Sequence, residues 1–185
     1  MRKIVESTLL SLDGVLGTPH IWASAYFGEE AQRDALKRLE ASDAMLMGRR
    51  TYEIFQSIWA EREGPYVDRI NSMKKYVFSN TLANADWNNS EIVRGDPVEA
   101  VTRLKQQDGA PLMMYGHGRL VEALLGHRLL DEIRLWMHPL FVGKGQRIVQ
   151  DGEVIKMELV ETALFSTGVV VLAYRPILAA NQGDH

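Results

Sequence analysis

Two short turns carry the residue types best suited to hold an anion. The first is Met47-Gly48-Arg49-Arg50-Thr51-Tyr52-Glu53, which follows the apolar run Ala44-Met45-Leu46. It reads as a buried strand, a glycine turn with two arginines and a threonine, and an amphipathic helix. A helix start aims unpaired N–H groups and the positive end of the helix dipole at one point. Guanidinium forks beside that point match phosphate oxygens. Taken alone, the arginine pair reads equally as a solvated face after an ordinary strand–helix turn.

The second turn is Gly116-His117-Gly118-Arg119, after Leu112-Met113-Met114-Tyr115 and before Leu120, Val121, Leu124 and Leu125. It lacks the full Gly-x-Gly-x-x-Gly spacing, so an ordinary Rossmann site is not indicated. If both turns close parallel strands, they share the carboxyl edge of the sheet, where open α/β sheets bind ligands. Two anion-binding helix starts on one edge suit a ligand with separated phosphates, such as a dinucleotide carrying a 2′-phosphate.

The elements that must position these turns follow from periodicity. Ile4 to Leu10, Ala44 to Met47, Tyr76 to Ser79, Glu91 to Val93, Leu112 to Tyr115 and Asp131 to Met137 read as strands. Helices are expected from Glu29 to Ala41, around Tyr52, Phe55, Ile58 and Trp59, and after Asp96-Pro97-Val98-Glu99, an acidic N-cap with proline at the first helical position. Gly126 is expected to cap the helix after Arg119. Ser11 to Pro19 and Glu61 to Tyr66 read as loops. Lys156 to Phe165 and Val169 to Tyr174, joined by Ser166-Thr167-Gly168, read as an antiparallel hairpin. The expected fold is a three-layer α/β/α domain over residues 1–176, with a mainly parallel sheet ending in that hairpin. Residues 177–185 are expected to be a disordered tail.

Composition narrows the function. The 185 residues are 46% hydrophobic and 24% charged, with a net charge of -3 and no cysteine. A general nucleic-acid binder would need a basic face. Thiolate chemistry is excluded, and His20, His127 and His138 have no metal-ligand spacing. With no membrane-length apolar run and no signal-peptide core, a cytoplasmic protein is expected.

Five motifs in order carry a family resemblance over Arg2 to about Pro176. They are Ser11-Leu12-Asp13-Gly14, Val15-Leu16-Gly17 with Trp22, Met47 to Glu53, Val77-Phe78-Ser79-Asn80-Thr81-Leu82, and Pro139-Leu140-Phe141-Val142-Gly143-Lys144-Gly145. The chain resembles the dihydrofolate reductase-like superfamily. Within it, the chain is most similar to the reductase domain of the bifunctional riboflavin-biosynthesis deaminase-reductase and its stand-alone relatives. The last motif is of the riboflavin type rather than that of true dihydrofolate reductases.

The resemblance implies NADPH and a small-molecule, heterocyclic substrate. Arg49 would grip the 2′-phosphate and Thr51 the pyrophosphate, with Gly48 in the turn and Arg50 a second phosphate candidate. Ser79 and Asn80 would sit at the adenosine ribose phosphate. Gly116, His117, Gly118 and Arg119 would wrap the pyrophosphate, with Leu120 alongside. Leu16, Gly17 and Trp22 fall where the mobile loop lies beside the nicotinamide, and Trp22 would line the substrate pocket. Dihydrofolate reductases carry two adjacent glycines joined by a cis peptide where this chain has Gly116-His117. Asp13 and Glu30 are the candidate proton donors; Asp13 also reads as a turn former and Glu30 as a favourable charge in a helix's first turn. Three functional readings result: an NADPH-dependent reductase, a non-catalytic NADPH-binding or sensing module, and a true dihydrofolate reductase. A homodimer is expected, covering the apolar edge Val169 to Tyr174 and bringing together the strand from Asp131 to Met137 and the terminal hairpin, with Trp136 or Phe141 as anchor.

Overall fold

The computed structural model describes residues 1–148 and 154–177. Eight strands form one sheet: β1 (Ile4–Ser11), β2 (Ala44–Gly48), β3 (Lys74–Phe78), β4 (Ser90–Val93), β5 (Leu112–Tyr115), β6 (Glu132–His138), β7 (Met157–Leu164) and β8 (Val170–Pro176). Their order is β4-β3-β2-β5-β1-β6-β8-β7. The first six in that order run parallel, while β8 is antiparallel to β6 and to β7. The helices are α1 (Pro19–Trp22), α2 (Glu29–Glu40), α3 (Arg49–Trp59), α4 (Pro65–Ser72), α5 (Pro97–Gln106) and α6 (Arg119–Gly126), with a 3₁₀ turn at Ser24–Tyr26.

Strands buried on both faces need helices on both sides. Leu39 of α2, Tyr52 of α3 and Ile70 of α4 close over Met45, Met47, Val77 and Met113. On the other face, Val101 and Leu104 of α5 and Val121 and Leu124 of α6 pack on Ile4, Leu46, Leu112 and Ile133. α5 starts as its sequence requires, with the Asp96 carboxylate accepting from Val98 N at 2.8 Å and Pro97 at the first helical position. No helix among the described residues is long and apolar enough to cross a membrane.

Four sequence expectations change. The polar loop expected at Glu61 to Tyr66 gives way to α4 from Pro65, because Val67 and Ile70 bury one face of a short helix. β3 starts at Lys74 rather than Tyr76. Its Lys75 is fully buried, and the ammonium donates to the carbonyls of Asn71, Met73 and Asn88 at 2.9–3.1 Å. Gly126 is the last residue of α6, and the left-handed turn falls on Arg128 (φ 56°). Finally, Val169 to Tyr174 is not an edge: β8 lies between β6 and β7, so β7 is the edge strand. Trp136 is 4% exposed within a core cluster and cannot anchor a partner, whereas Phe141 is exposed. Arg134, 1% exposed, fastens β7 inward by donating to Glu161 at 2.9 Å and to Glu132 at 3.1 Å. Of the expected tail only Ile177 belongs to the described residues.

Candidate active site

Because β1, β2, β3, β5 and β6 are parallel, the turns after them share one edge of the sheet. β1 outruns one neighbour there. Its pairing with β5 ends at Ser7↔Tyr115, while its pairing with β6 continues to Ser11↔His138. The sheet therefore splits beside Thr8 to Ser11, between the loop after β1 and the turn after β5.

On one side of that split α3 begins directly at Arg49, with Gly48 as N-cap and no side-chain cap. A Cβ added to Gly48 would meet nothing within 4 Å. Arg49 reaches from this turn to the end of β3, donating to Thr81 Oγ1 at 2.9 Å and to its own helix's Glu53 at 2.7 Å. Arg50 lies 3.5 Å from Gln146 Oε1 and is otherwise exposed. Thr51, half-buried, is the third residue of the helix. Ser79 Oγ accepts from Thr81 N and Leu82 N, and Asn80 Oδ1 from Gly95 N at 2.8 Å, so both side chains shape their own loop. Arg94 braces the same loop by donating to the carbonyls of Ser79 (3.3 Å) and Leu82 (2.8 Å). Thr81 lay within the Val77–Leu82 motif without a role of its own, and Arg94 was not singled out; a cation one residue past a parallel strand's carboxyl end was the available signal.

The second turn has the same character. Gly116 adopts φ 75°, a conformation that favours glycine, and its N–H donates to Ser7 O at 3.0 Å. The Gly116–His117 bond is trans. Gly118, extended, caps α6 without a side chain, and open space lies where a Cβ would stand on either glycine. Arg119 is exposed, while Leu120 packs on the core. His117 is buried, with Nδ1 3.6 Å from Oε1 of Glu6 on β1. Glu6 was not singled out in the sequence, although a glutamate in a central parallel strand is itself a signal.

The loop after β1 is tied to the Pro139–Gly145 segment. Asp13 accepts from Ser11 Oγ (2.6 Å), Gly143 N (2.9 Å), Val142 N (3.1 Å) and Arg147 (3.4 Å). The Ser11 hydroxyl and the two backbone donors hold its carboxyl well below the ordinary range. Leu16 N and Gly17 N donate to Gln146 O at 2.8 and 3.2 Å, which brings them to the residue facing Arg50. A Cβ on Gly17 would press on Gln146 N at 3.2 Å, so glycine permits this approach. Trp22 donates its indole N–H to Gly17 O at 3.0 Å and stacks edge-on against His138, as does Tyr26. His138, 2% exposed, lies 2.8 Å through Nδ1 from Trp136 O, and burial pushes its pKa down.

Glu30 lies elsewhere. On the first turn of α2, it accepts from Ser166 N and Ser166 Oγ, both at 2.6 Å, and these bonds hold its carboxyl below the ordinary value. It lines a concavity of about 380 Å³ between α2 and the β7–β8 turn, whose walls include no residue of either glycine turn. α2 also starts there without a side-chain cap and Arg33 is on the wall, but Glu29 and Glu30 put negative charge at that helix start. The two carboxylates proposed as proton donors are therefore not brought together, and each is held ionised by its own hydrogen bonds.

The residues present fit a dinucleotide. Two helix starts without side-chain caps, the space over Gly48 and Gly118, and arginines at 49, 50 and 119 together provide N–H donors, room and positive charge.

Residues 2–171 match the model of a protein family described as the RibD C-terminal domain. The uncharacterized protein YyaP of Bacillus subtilis (strain 168) is 31% identical over 142 residues, 74% of this chain and 75% of that protein. Among solved structures, the fold resembles a candidate riboflavin biosynthesis protein from Shewanella sp. PV-4 (TM-score 0.75, 19% identity, covering 95% of this chain and 99% of that one). It also resembles the diaminohydroxyphosphoribosylaminopyrimidine deaminase/5-amino-6-(5-phosphoribosylamino)uracil reductase of Thermotoga maritima (TM-score 0.65, 14% identity), covering 95% of this chain and 57% of that larger one.

Proposed function

The chain belongs to the RibD C-terminal domain family, and from that premise we propose that it is an NADPH-dependent reductase of a small heterocyclic substrate of the aminopyrimidine class. The observation that carries this reading is the pair of open glycine turns, at Gly48 and Gly118, on one edge of the sheet.

Arg49, with Arg50 and Thr51, would hold the 2′-phosphate end, beside the Ser79–Asn80 loop. Gly116 to Arg119 would hold the pyrophosphate, with Leu120 supporting the turn from the core. The nicotinamide, when bound, supplies a hydride. Leu16, Gly17 and Trp22 would border it where β1 runs free of β5, and Trp22 would face the substrate. Asp13 holds this loop to Gly143 and Arg147 in an ionised state, so its role here is to position the loop rather than to donate a proton. Glu30 holds the β7–β8 turn in the same way. With neither carboxylate protonated, water is the proton source this reading assigns.

The same carboxylate geometry favours one second reading, a module that binds NADPH without turning it over. Incubation with NADPH and a panel of aminopyrimidines, including 5-amino-6-(5-phosphoribosylamino)uracil, separates the two. Loss of reduced-nicotinamide absorbance with one of them is the expected result. Tight NADPH binding with no oxidation across the panel would favour the module.

A homodimer formed through β7 belongs to this proposal. That edge strand exposes Leu159 (50%), Val160 (43%) and Leu164 (73%), and an uncovered apolar edge invites pairing. Light scattering should give about twice the 20.9 kDa chain mass; a single-chain mass at micromolar concentration removes the dimer.

A further inference from the structure

Directly behind the second glycine turn, two titratable side chains are shut away from water beside each other. Glu6 is 0% exposed and His117 7%. Neither carboxylate oxygen and neither ring nitrogen has a hydrogen-bond partner, and the nearest approach is 3.6 Å, from His117 Nδ1 to Glu6 Oε1. The surroundings offer little else. Thr8 is buried two residues along β1, and its hydroxyl, like His117, favours the ionised Glu6; Met114 of β5 and Ile133 of β6 are the register neighbours of Glu6. On α6, Arg119 is exposed and Glu122 is partly exposed. On α5, Lys105 is taken by Asp131 and Leu129 O. On β6, Arg134 and Glu132 pair with each other, and Arg134 also reaches Asp34 of α2 and Glu161 of β7 across the opposite face.

A lone carboxylate in such a place is costly, and burial pushes the Glu6 carboxyl up. A proton held between the carboxylate and the imidazole 3.6 Å away relieves that cost. A phosphate on the N–H groups of the turn would add negative charge next to His117 and favour the proton residing on the imidazole.

We propose that Glu6 and His117 form a buried proton-holding dyad of the dinucleotide site, in which Glu6 is a positioning residue that keeps His117 as an imidazolium behind the pyrophosphate turn. This rests on the reading of Gly116 to Arg119 as that turn. Binding would then take up a proton, so affinity rises as pH falls. The 2′-phosphate of NADPH has the opposite tendency, because arginines prefer its dianion and its second pKa is about 6. NADH lacks that group and isolates the contribution of the dyad.

The test is calorimetric titration of the protein with NADH and with NADPH, in buffers of different ionisation enthalpy, from about pH 6 to about pH 8.5. The parent should take up a proton on binding NADH and lose about tenfold in affinity across the range. Glu6→Gln should flatten that profile toward the weak, high-pH value. Its ligand-free melting temperature should stay close to the parent's, since glutamine keeps the side chain's volume and removes a buried charge. Glu6→Leu serves as a second probe, and the ¹³Cε1 resonance of His117 should shift toward the imidazolium position on NADH binding in the parent alone. A flat NADH profile in the parent, or the parent's profile retained in Glu6→Gln, overturns the dyad while leaving the dinucleotide site standing. Absence of binding by both NADH and NADPH overturns the site and the dyad together.

Discussion

The two glycine turns and the two acidic side chains were both candidates for the site, the turns on the stronger sequence signal, and the structure treats them in opposite ways. At Gly48 and Gly118 the helix starts have no side-chain cap and face open space. At Asp13 and Glu30 the carboxylates accept hydrogen bonds from residues more than a hundred positions away: Val142 and Gly143 for the first, Ser166 for the second. The turns are left with donors to offer a ligand, whereas the carboxylates have spent their capacity holding loops. Backbone donors at a strand–turn–helix junction are set by local sequence. A carboxylate's role is set by whichever distant segment folds onto it.

The sharpest way to break that comparison is at the arginines. Replacing Arg49 and Arg50 together by alanine should weaken NADPH binding by roughly ten- to a hundredfold, since a charge-assisted contact contributes about 1.5–3 kcal/mol. NADH binding should change far less. Equal losses for both dinucleotides would move the 2′-phosphate away from this turn.

Gly118→Val comes next. Gly118 has φ -157°, which any residue adopts, and a Cβ there meets nothing. The fold should therefore tolerate the change, while a ligand approaching the α6 start is obstructed. An affinity loss of about tenfold with an unchanged melting temperature is expected. Unchanged affinity would place the phosphates elsewhere.

The smallest effect is expected at Asp13→Asn, and it tests the opposite half of the comparison. The folded carboxyl is held below its unfolded value. Its stabilisation is therefore present above the unfolded pKa of about 3.9 and is lost as pH falls through the lower folded value. The melting temperature of the variant should lie below the parent's by a constant gap from neutral pH to about pH 5, and the gap should close in stronger acid. A gap that instead opens near neutral pH would mean a carboxyl that titrates there, as a proton donor would.

The same contrast explains what could be read from the chain. The alternation of strands and helices, the Asp96-Pro97 helix start and the Ser166-Thr167-Gly168 hairpin are local signals, and each appears where its residues place it. What escaped depended on tertiary partners. Lys75 looks like a strand boundary until three carbonyls surround its ammonium. α4 is short, and only burial of Val67 and Ile70 against α2 and the sheet makes it a helix. The position of β8 inside the sheet follows from β7 folding back beyond it, with Glu161 drawn to buried Arg134. Glu6 meets His117 across 111 residues of sequence, and nothing within either segment announces the pair.

The central claim is that the Gly48–Arg49–Arg50 turn selects a 2′-phosphorylated dinucleotide. The most direct measurement is the melting temperature of the parent protein at matched concentrations of NADPH and NADH. A clearly larger rise with NADPH is expected, because both ligands share every group except the 2′-phosphate. Equal rises, or none with either, would contradict it.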